Sequence, residues 1–478
     1  MNLPASQIPY GFARRHGVAV DQTEAGPRVW LKAGSDPKIL VEVRRWLGAS
    51  FELAAADNDQ FEQILSDTYA ASGEAVARAA GSLEEGSGLD MLALDIRGSE
   101  DLLDSSDAPA IRLINGIIAD AARNGVSDIH FEPYETGLVV RMRIDGELRE
   151  KLRLPSSVAP VVVSRIKVMA RLDIAERRIP QDGRIGLTLG GRLLDVRVST
   201  LPSRGGERVV LRLLDKANVA TGLDDLGMTD ADRAAINRAL GEPNGIILVT
   251  GPTGSGKTTT LYAALRNLND GRRNILTVED PVEYAVDGIG QTQVDPKVGL
   301  TFAAGLRAIL RQDPDVVLVG EIRDRETAEI AVQASLTGHL VLATVHTNDA
   351  PGAITRMRDM KVEPFLLAST LRAVVAQRLV RRLCLSCRKP LADGAFEAVG
   401  CHDCGQSGYK GRVGIFEIIR VDDAVRQCIA DGGDELKIAA LAFANSPTLA
   451  QSAQQLVTSG VTSKAEAMRV TRLELDNG

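Results

Sequence analysis

A strand, a glycine-rich loop and a helix follow one another between residues 245 and 268, and they constrain the fold more than any other feature. The apolar run 245–250 predicts a buried strand, and a helical pattern begins at Thr258. Between them, Gly-Pro-Thr-Gly-Ser-Gly-Lys-Thr at 251–258 has the spacing of a phosphate-binding loop. Glycines let backbone N–H groups wrap a phosphate chain, and the helix N-terminus adds a favourable dipole. The sequence therefore predicts binding and hydrolysis of a nucleoside triphosphate.

The predicted nucleotide-binding residues belong to this loop and the first turn of the helix. They are Gly251, Pro252, Thr253, Gly254, Ser255, Gly256, Lys257, Thr258 and Thr259. Lys257 can reach the β and γ phosphates, and Thr258 can ligate Mg²⁺. Because the strand and the helix are both present, a chance match in a glycine-rich loop is the weaker interpretation.

Composition and charge argue against several classes of protein. A length of 478 residues suggests two to four domains. The net charge of −7 argues against a general nucleic-acid binder, and an aromatic content of 4% argues against base stacking on an aromatic platform. No apolar run approaches the roughly 20 residues of a membrane helix, and the stretch after Arg14 and Arg15 lacks the apolar core of an export signal. We therefore expect a cytoplasmic protein.

Changes in pattern divide the chain into segments. Short apolar runs and helical patterns indicate a small N-terminal α/β domain, and a Gly-, Ser- and acid-rich stretch then indicates a linker. A helix and alternating strands indicate an α+β domain, and alternating strands and helices then predict a parallel sheet. The predicted segments are the N-terminal domain 1–71, the linker 72–106, the α+β domain 107–216, the nucleotide-binding domain 222–383, a cysteine-containing insertion 384–412 and a helical C-terminal part 413–478.

Acidic residues end two further predicted strands of the parallel sheet. The run 274–278 leads to Glu279, and the run 315–319 leads to Glu321. Parallel sheets bind ligands at the carboxyl ends of their strands, so both carboxylates are expected beside the phosphate loop. Hydrolysis needs a group that positions the attacking water. Glu321 is the first candidate for that role and Glu279 the second, and the sequence leaves the choice open.

Two histidines flank another predicted strand, 340–345. An imidazole at His339 or His346 could contact the γ-phosphate and respond to its loss. The alternative for each is a histidine that only forms a hydrogen bond within a loop.

Two Cys-x-x-Cys pairs suggest a structural metal site. Cys384, Cys387, Cys401 and Cys404 could supply four thiolates, which complete a tetrahedral Zn²⁺ shell with no open position. Four unrelated thiols are the alternative. The fifth cysteine, Cys428, is expected to be an ordinary small buried residue.

Arg197 and Arg212 lie on neighbouring predicted strands of the α+β domain. They could be surface charges or ion-pair partners, or they could act as arginine fingers on the triphosphate of a neighbouring subunit. The residues alone do not decide between these possibilities.

Taken in order, these features resemble the secretion ATPase superfamily shared by type II secretion and type IV pilus systems. The start, Ile-Pro-Tyr-Gly-Phe-Ala-Arg-Arg-His-Gly-Val at 8–18, is similar to the N-terminal domain of the type II secretion members. Other stretches match the pattern of the superfamily: Ser-Asp-Ile-His-Phe-Glu-Pro at 127–133, Val-Ser-Thr-Leu-Pro at 198–202, Gly-Leu-Thr-Phe at 299–302, Leu-Arg-Gln-Asp-Pro-Asp-Val at 310–316 and Gln-Arg-Leu at 377–379.

The resemblance implies an α/β fold in which a RecA-like P-loop NTPase domain follows an α+β (PAS-like) domain and a small N-terminal α/β domain, with a tetracysteine zinc insertion. It implies a homohexamer that hydrolyses ATP with Mg²⁺ to drive pseudopilus assembly. It makes Arg197 and Arg212 the candidate fingers, with Arg307, Arg311 and Arg356 as further basic residues near the nucleotide or a subunit contact.

Partners and location are also implied by the resemblance. The N-terminal domain would dock on general secretion pathway protein L at the cytoplasmic face of the inner membrane, with peripheral contact to phospholipid. The platform protein, general secretion pathway protein F, is a further expected partner. The rival interpretations are a type IV pilus assembly ATPase, a nucleic-acid translocase, and a structural hub that binds ATP without turnover.

Overall fold

The structure is a computed structural model, and it describes residues 16–23, 26–47, 50–57, 60–61, 64, 108–189, 192–215, 222–444 and 446–471. The chain forms two compact units, residues 1–217 and 218–478. The predicted linker 72–106 and most of the helical pattern at 58–71 lie outside the described residues. In the described part of the chain, no helix is both long and apolar enough to cross a membrane.

The first described element group is a three-stranded sheet with one helix. Its members are β1 (Val18–Thr23), β2 (Gly26–Lys32), α1 (Ile39–Leu47) and β3 (Glu52–Ala56). β2 lies in the middle, antiparallel to β1 and parallel to β3. Val18, Val20 and Val29 are buried with Val43 of the helix, so this small α/β arrangement has a core of its own.

A six-stranded antiparallel sheet and two helices make up residues 108–215. The elements are α2 (Ala108–Arg123), β4 (Val126–Tyr134), β5 (Gly137–Ile144), β6 (Glu147–Leu154), α3 (Ala159–Met169), β7 (Gln181–Leu189), β8 (Arg192–Ser203) and β9 (Gly206–Asp215). The strand order is β6-β5-β4-β9-β8-β7. The sequence analysis assigned no strand to 126–134, which proves to be a central strand of this sheet.

The pattern of apolar residues explains how this sheet is covered. Buried residues in α2 recur with helical spacing, and buried residues in β8 and β9 recur at every second position. Alternation of period two means that one face of the sheet packs on a core while the other carries polar groups. The core residues include Leu113, Ile114, Ile117, Ile118 and Ala121 of α2, and Leu194, Val196, Val198, Val209, Leu211 and Leu213 of the strands.

The second unit contains a seven-stranded sheet with helices around it. Its strands are β10 (Gly245–Thr250), β11 (Ile275–Glu279), β12 (Gly290–Gln293), β13 (Val316–Val319), β14 (Leu340–Val345), β15 (Leu371–Leu383) and β18 (Tyr409–Arg420). The strand order is β12-β11-β13-β14-β10-β15-β18. Its helices are α4 (Asp230–Leu240), α5 (Lys257–Leu268), α6 (Phe302–Ile309), α7 (Arg325–Leu336), α8 (Ala350–Asp359), α9 (Pro364–Thr370), α10 (Asp423–Ala430), α11 (Glu435–Ala442), α12 (Leu449–Thr458) and α13 (Lys464–Thr471).

β10 lies inside this sheet and explains why its sequence is apolar without alternation. Ile246 and Leu248 belong to one hydrophobic core, whereas Ile247 and Val249 belong to another. A strand between two cores needs apolar side chains on both faces. The carboxyl end of β10 therefore emerges from a rigid centre, and the phosphate loop begins there.

The last strand differs from the sequence-based expectation. Residues 413–420 were expected within a helical C-terminal part, but they continue β18, which begins at Tyr409 and pairs antiparallel with β15. The run 413–421 is apolar apart from Glu417 and Arg420, and its inner residues are buried. Between β15 and β18 lie two short strands, β16 (Lys389–Pro390) and β17 (Phe396–Glu397), which form a small hairpin beside the cysteines.

Candidate active site

The phosphate loop runs from the carboxyl end of β10 to the first turn of α5. Gly251 has φ of 142°, and a Cβ there would lie 2.4 Å from the carbonyl oxygen of Gln377 on β15. Gly256, the N-cap of α5, has φ of 93°, and its Cβ would lie 2.8 Å from Gln377 Nε2. Both positions therefore require glycine, because the loop lies directly against β15. Thr258 and Thr259 are exposed at the start of α5, where a ligand can reach them.

Lys257 is held over this loop. Its Nζ donates hydrogen bonds to the carbonyl oxygens of Gly251 at 2.8 Å and Pro252 at 3.1 Å. Burial lowers the pKa of the Lys257 ammonium below its usual value, and the Glu321 carboxylate opposes that shift. A cation held by weak neutral acceptors next to one carboxylate is prepared to bind a polyanion.

Glu321 sits at the carboxyl end of β13 with two cationic neighbours. His346 Nε2 lies 3.1 Å from Glu321 Oε1, and Arg323 Nε donates to Glu321 Oε2 at 2.6 Å. The Glu321 side chain is 17% exposed, so water can reach it. Arg323 Nη1 also lies 3.8 Å from Asp280 Oδ2. The structure thus brings three of the predicted residues, Lys257, Glu321 and His346, to one edge of the sheet.

Glu279 lies at the end of the neighbouring strand β11 in a different environment. It is 4% exposed, and both carboxylate oxygens accept hydrogen bonds. Thr277 Oγ1 donates to one oxygen at 2.5 Å, and the hydroxyl of Tyr262 on α5 donates to the other. Burial raises the pKa of Tyr262, and the contact with Glu279 raises it further, so the hydroxyl keeps its proton. Glu279 is therefore tied into the protein, whereas Glu321 remains accessible.

His339 is not brought to the phosphate loop of its own chain. It precedes β14, and its carbonyl oxygen accepts a hydrogen bond from Gly245 N at the start of β10. The six residues of β14 separate this edge from the edge that carries His346, a distance of about 20 Å at 3.3 Å per residue. His339 Nδ1 lies 2.8 Å from the carbonyl oxygen of Ala334 and 3.2 Å from Thr337 Oγ1. These local contacts match the alternative in which His339 forms hydrogen bonds within its loop.

The two candidate finger arginines lie opposite each other in the six-stranded sheet. Arg197 on β8 is paired in register with Arg212 on β9, and Arg212 with Asp128 on β4. Arg212 Nε donates to Asp128 Oδ1 at 2.9 Å, while the Arg212 side chain stays 59% exposed. The polar face of this sheet therefore presents both arginines side by side.

The four paired cysteines come together as the spacing predicted. Their Sγ atoms all lie within 4.8 Å of one another, with separations of 3.9 Å for Cys384–Cys401, 3.9 Å for Cys387–Cys404 and 3.7 Å for Cys401–Cys404. A tetrahedron with Zn–S bonds of about 2.3 Å has edges of about 3.8 Å. The donor set thus fits a tetrahedral thiolate metal site.

The protein supports the charge of these sulfurs with backbone donors. The N–H groups of Cys401 and Gly408 both lie 3.2 Å from Cys404 Sγ. Burial raises the pKa of the Cys404 thiol, but these hydrogen bonds and those of Cys401 and Cys387 lower it more, to about 6.

Several residues that the sequence analysis did not single out complete the site. Thr260 Oγ1 on α5 donates to Gln377 Oε1 at 2.6 Å, which joins the helix after the loop to β15. Thr250 Oγ1 and Thr347 Oγ1 are 2.7 Å apart, which joins the end of β10 to the segment that carries His346. Arg323 could have been suspected, because it follows Glu321 by two residues. The contacts of Gln377 and Thr347 are long-range, so no local sequence signal marks them.

A phosphate loop at the end of a doubly buried parallel strand, with acidic residues ending the adjacent strands, defines a P-loop NTPase. Comparison with known families agrees with this class. The type II/IV secretion system protein family matches residues 104–469, and the N1 domain of GSPII protein E matches residues 7–69. The chain belongs to the type II/IV secretion system protein family.

Individual relatives extend this result over nearly the whole chain. The chain is 53% identical to the type II secretion system protein E of Aeromonas hydrophila, over 98% of each chain. It is 49% identical to the type II secretion system ATPase E of Vibrio cholerae, over 98% of this chain and 97% of that one. Among solved structures, that of the pilus retraction motor PilT with bound ADP has a TM-score of 0.52 at 27% identity, covering 76% of this chain and 96% of that one. The predicted family, fold class and secretion ATPase activity are confirmed.

Proposed function

We propose that this chain hydrolyses Mg-ATP to drive pseudopilus assembly and protein export by a type II secretion system. The observation that carries the proposal is the convergence of Lys257, Glu321 and His346 at the carboxyl edge of the parallel sheet. Relatives that match nearly the full chain and are named as type II secretion components support the biological role. The match of residues 7–69 to the N1 domain of GSPII protein E favours type II secretion over the pilus assembly alternative.

In the proposed reaction, the loop N–H groups and Lys257 bind the phosphates of the substrate ATP. Thr258 is the proposed protein ligand of the accompanying Mg²⁺, which would offset charge on the β and γ phosphates. Lys257 exchanges its two carbonyl acceptors for phosphate oxygens when the substrate enters. His346 lies beside Glu321 and would sense the γ-phosphate through that carboxylate.

Glu321 is the proposed group that orients the attacking water. Its carboxylate is accessible and its charge is stabilised by Arg323 and His346. Glu279 is the weaker candidate, because a base that holds water needs a free lone pair and both of its oxygens already accept hydrogen bonds. We assign Glu279 instead to fixing the loop after β11 against α5.

The active form is proposed to be a homohexamer in which Arg197 and Arg212 contact a nucleotide. Guanidinium groups match phosphate oxygens with a fixed fork of donors. The N-terminal domain is the proposed docking site for general secretion pathway protein L, and general secretion pathway protein F and anionic phospholipid are further proposed contacts. The tetracysteine cluster is proposed to hold Zn²⁺, which would brace the segment between β15 and β18.

Phosphate release by the purified full-length chain tests the proposal. Lys257→Ala and Glu321→Gln should both abolish turnover, but only Lys257→Ala should weaken nucleotide binding. Glu279→Gln serves as the comparison, because it keeps the shape of the buried network and should retain measurable turnover. Normal hydrolysis by Glu321→Gln together with loss in Glu279→Gln would reverse the two assignments. Stimulation by DNA instead of by anionic vesicles would favour a translocase.

A further inference from the structure

Charged residues form one continuous row across five strands of the six-stranded sheet. Arg184 on β7 pairs in register with Arg197 on β8, and Arg197 pairs with Arg212 on β9. Arg212 pairs with Asp128 on β4, and Asp128 pairs with Arg143 on β5. Residues directly opposite each other on neighbouring strands point to the same face. The row therefore places four guanidinium groups and one carboxylate, a net charge of +3, along a line on the polar face.

Asp128 is the one acid in this row, and it is almost fully enclosed. Its side chain is 9% exposed, and Ser127 Oγ donates to its Oδ2 at 2.8 Å. Arg212 Nε lies 2.9 Å from Oδ1, and Arg143 Nε lies 3.6 Å from Oδ2. A buried carboxylate is costly unless it is paired, so its charge must be kept by these arginines.

The way in which Arg212 binds Asp128 leaves its terminal groups available. The ion pair uses Nε, whereas both Nη atoms lie beyond it on a side chain that is 59% exposed. Within the part of the chain that the structure describes, this is the one ion pair that Arg212 makes. A contact through Nε fixes the plane of the guanidinium group while its outer fork stays free for another anion.

Like charges along the row repel one another, so three arginines beyond Asp128 gain little from the folded chain itself. A ligand with several negative charges in a line would relieve that repulsion. The phosphate chain of a nucleotide has this charge distribution.

We propose that Asp128 is a positioning residue that holds the Arg212 guanidinium group for contact with the phosphates of the nucleotide. This inference rests on the proposed function, in which Arg212 acts on ATP. Asp128 touches no substrate itself; it sets the plane of Arg212 through Nε and leaves the two Nη groups to bind phosphate as charge develops on it.

The test is a double-mutant cycle on the full-length chain, with kcat and KM for ATP measured above the concentration at which activity saturates. Asp128→Asn should lower kcat about 10-fold, because misplacement by about 1 Å costs up to about 100-fold, and KM should change less than about twofold. Adding Asp128→Asn to Arg212→Ala should cause no further loss. Glu150→Gln is the matched control, since it replaces a carboxylate that pairs with Arg153 on the same sheet, and it should leave kcat unchanged.

A purely structural role for Asp128 predicts a different pattern. Its loss would then lower kcat by the same factor with or without Arg212, and that additive result would overturn the proposal. Asp128→Glu keeps the charge but displaces it by one methylene, so it should also lower kcat while the thermal midpoint stays near that of the wild type. Full activity in both Asp128 variants would equally refute the proposal. If the wild type shows no turnover that depends on Lys257, the proposed function fails instead.

Discussion

The Glu466→Gln substitution probes a buried ion network that joins the last helix to the central sheet. Glu466 on α13 is fully buried and accepts hydrogen bonds from the backbone N–H of Arg381 at 3.0 Å and from its guanidinium group at 2.7 Å. Arg469 adds two more at 2.8 and 2.7 Å. Arg381 lies on β15 and stacks over the ring of Tyr409 on β18. One carboxylate thus connects α13 to the two strands that flank the metal-binding segment.

The electrostatics give the size of the expected effect. Burial raises the pKa of Glu466, but the hydrogen bonds from Arg469 and Arg381 outweigh it and bring the pKa to about 2, from an ordinary value of 4.5. At 1.36 kcal/mol per pKa unit, this difference corresponds to roughly 3 kcal/mol of folding free energy. Removing one partner of a buried ion pair typically costs about 3 to 5 kcal/mol, which agrees. Glu466→Gln should therefore destabilise the second unit by roughly 3 kcal/mol.

Thermal unfolding of the full-length chain at pH 7 measures this loss. A change of 1 kcal/mol shifts the midpoint of a domain of this size by about 2 to 4 °C, so the midpoint should fall by about 6 to 12 °C. The matched control is Glu329→Gln, which breaks the exposed pair of Arg325 and Glu329 within one helix. Exposed pairs of this kind contribute about 0.3 to 0.5 kcal/mol, so the control should shift the midpoint by about 1 °C.

The pH dependence of the difference gives a second check. Because the pKa of Glu466 is lowered in the folded state, its stabilisation is complete above pH of about 4.5 and is lost as pH falls toward 2. The gap between the wild type and Glu466→Gln should stay constant from pH 8 to 5 and narrow below pH 4.5. Equal midpoint shifts for Glu466→Gln and Glu329→Gln would refute the assignment of a strongly coupled buried carboxylate.

Three further outcomes are expected. The purified chain should carry about one Zn²⁺ per subunit by elemental analysis, and Cys384→Ser should lower that content and the thermal midpoint; freshly prepared protein without zinc would contradict the assignment. ATP turnover should rise steeply with protein concentration, and undiminished specific activity at high dilution would argue against an assembled active form. Mixing inactive Arg212→Ala and Lys257→Ala chains should restore part of the turnover if the arginine acts between subunits, whereas a mixture without activity would place its action within one chain.

Local sequence patterns predicted much of the second unit. The strands that lead to the phosphate loop, Glu279, Glu321 and His346 were all expected from short apolar runs, because buried parallel strands are apolar on both faces. The cysteine cluster was also expected, because two short chelating pairs need only one chain reversal to meet. These features depend on residues that are close in sequence.

Features that depend on distant residues were harder to predict. β18 was expected to be helical, although its partner β15 supplies a long antiparallel ladder and two cores bury its side chains. β4 was not predicted, because its polar residues Asp128, His130 and Glu132 hide the alternation; each is buried only because arginines on β5 and β9 cover it. Such pairing is set by strand register, which a single sequence does not display.

Glu279 and Glu321 show why sequence position alone could not separate two equivalent candidates. Each ends a buried strand of the same sheet, yet β11 is followed by the edge strand β12, whose Gln291 closes over Glu279 together with Tyr262 of α5. β13 lies farther inside, and its end opens toward Lys257, Arg323 and His346. Tertiary neighbours therefore turn one carboxylate into a buried hydrogen-bond acceptor and leave the other free to hold water. The chemistry of such a pair is decided by what covers each strand end.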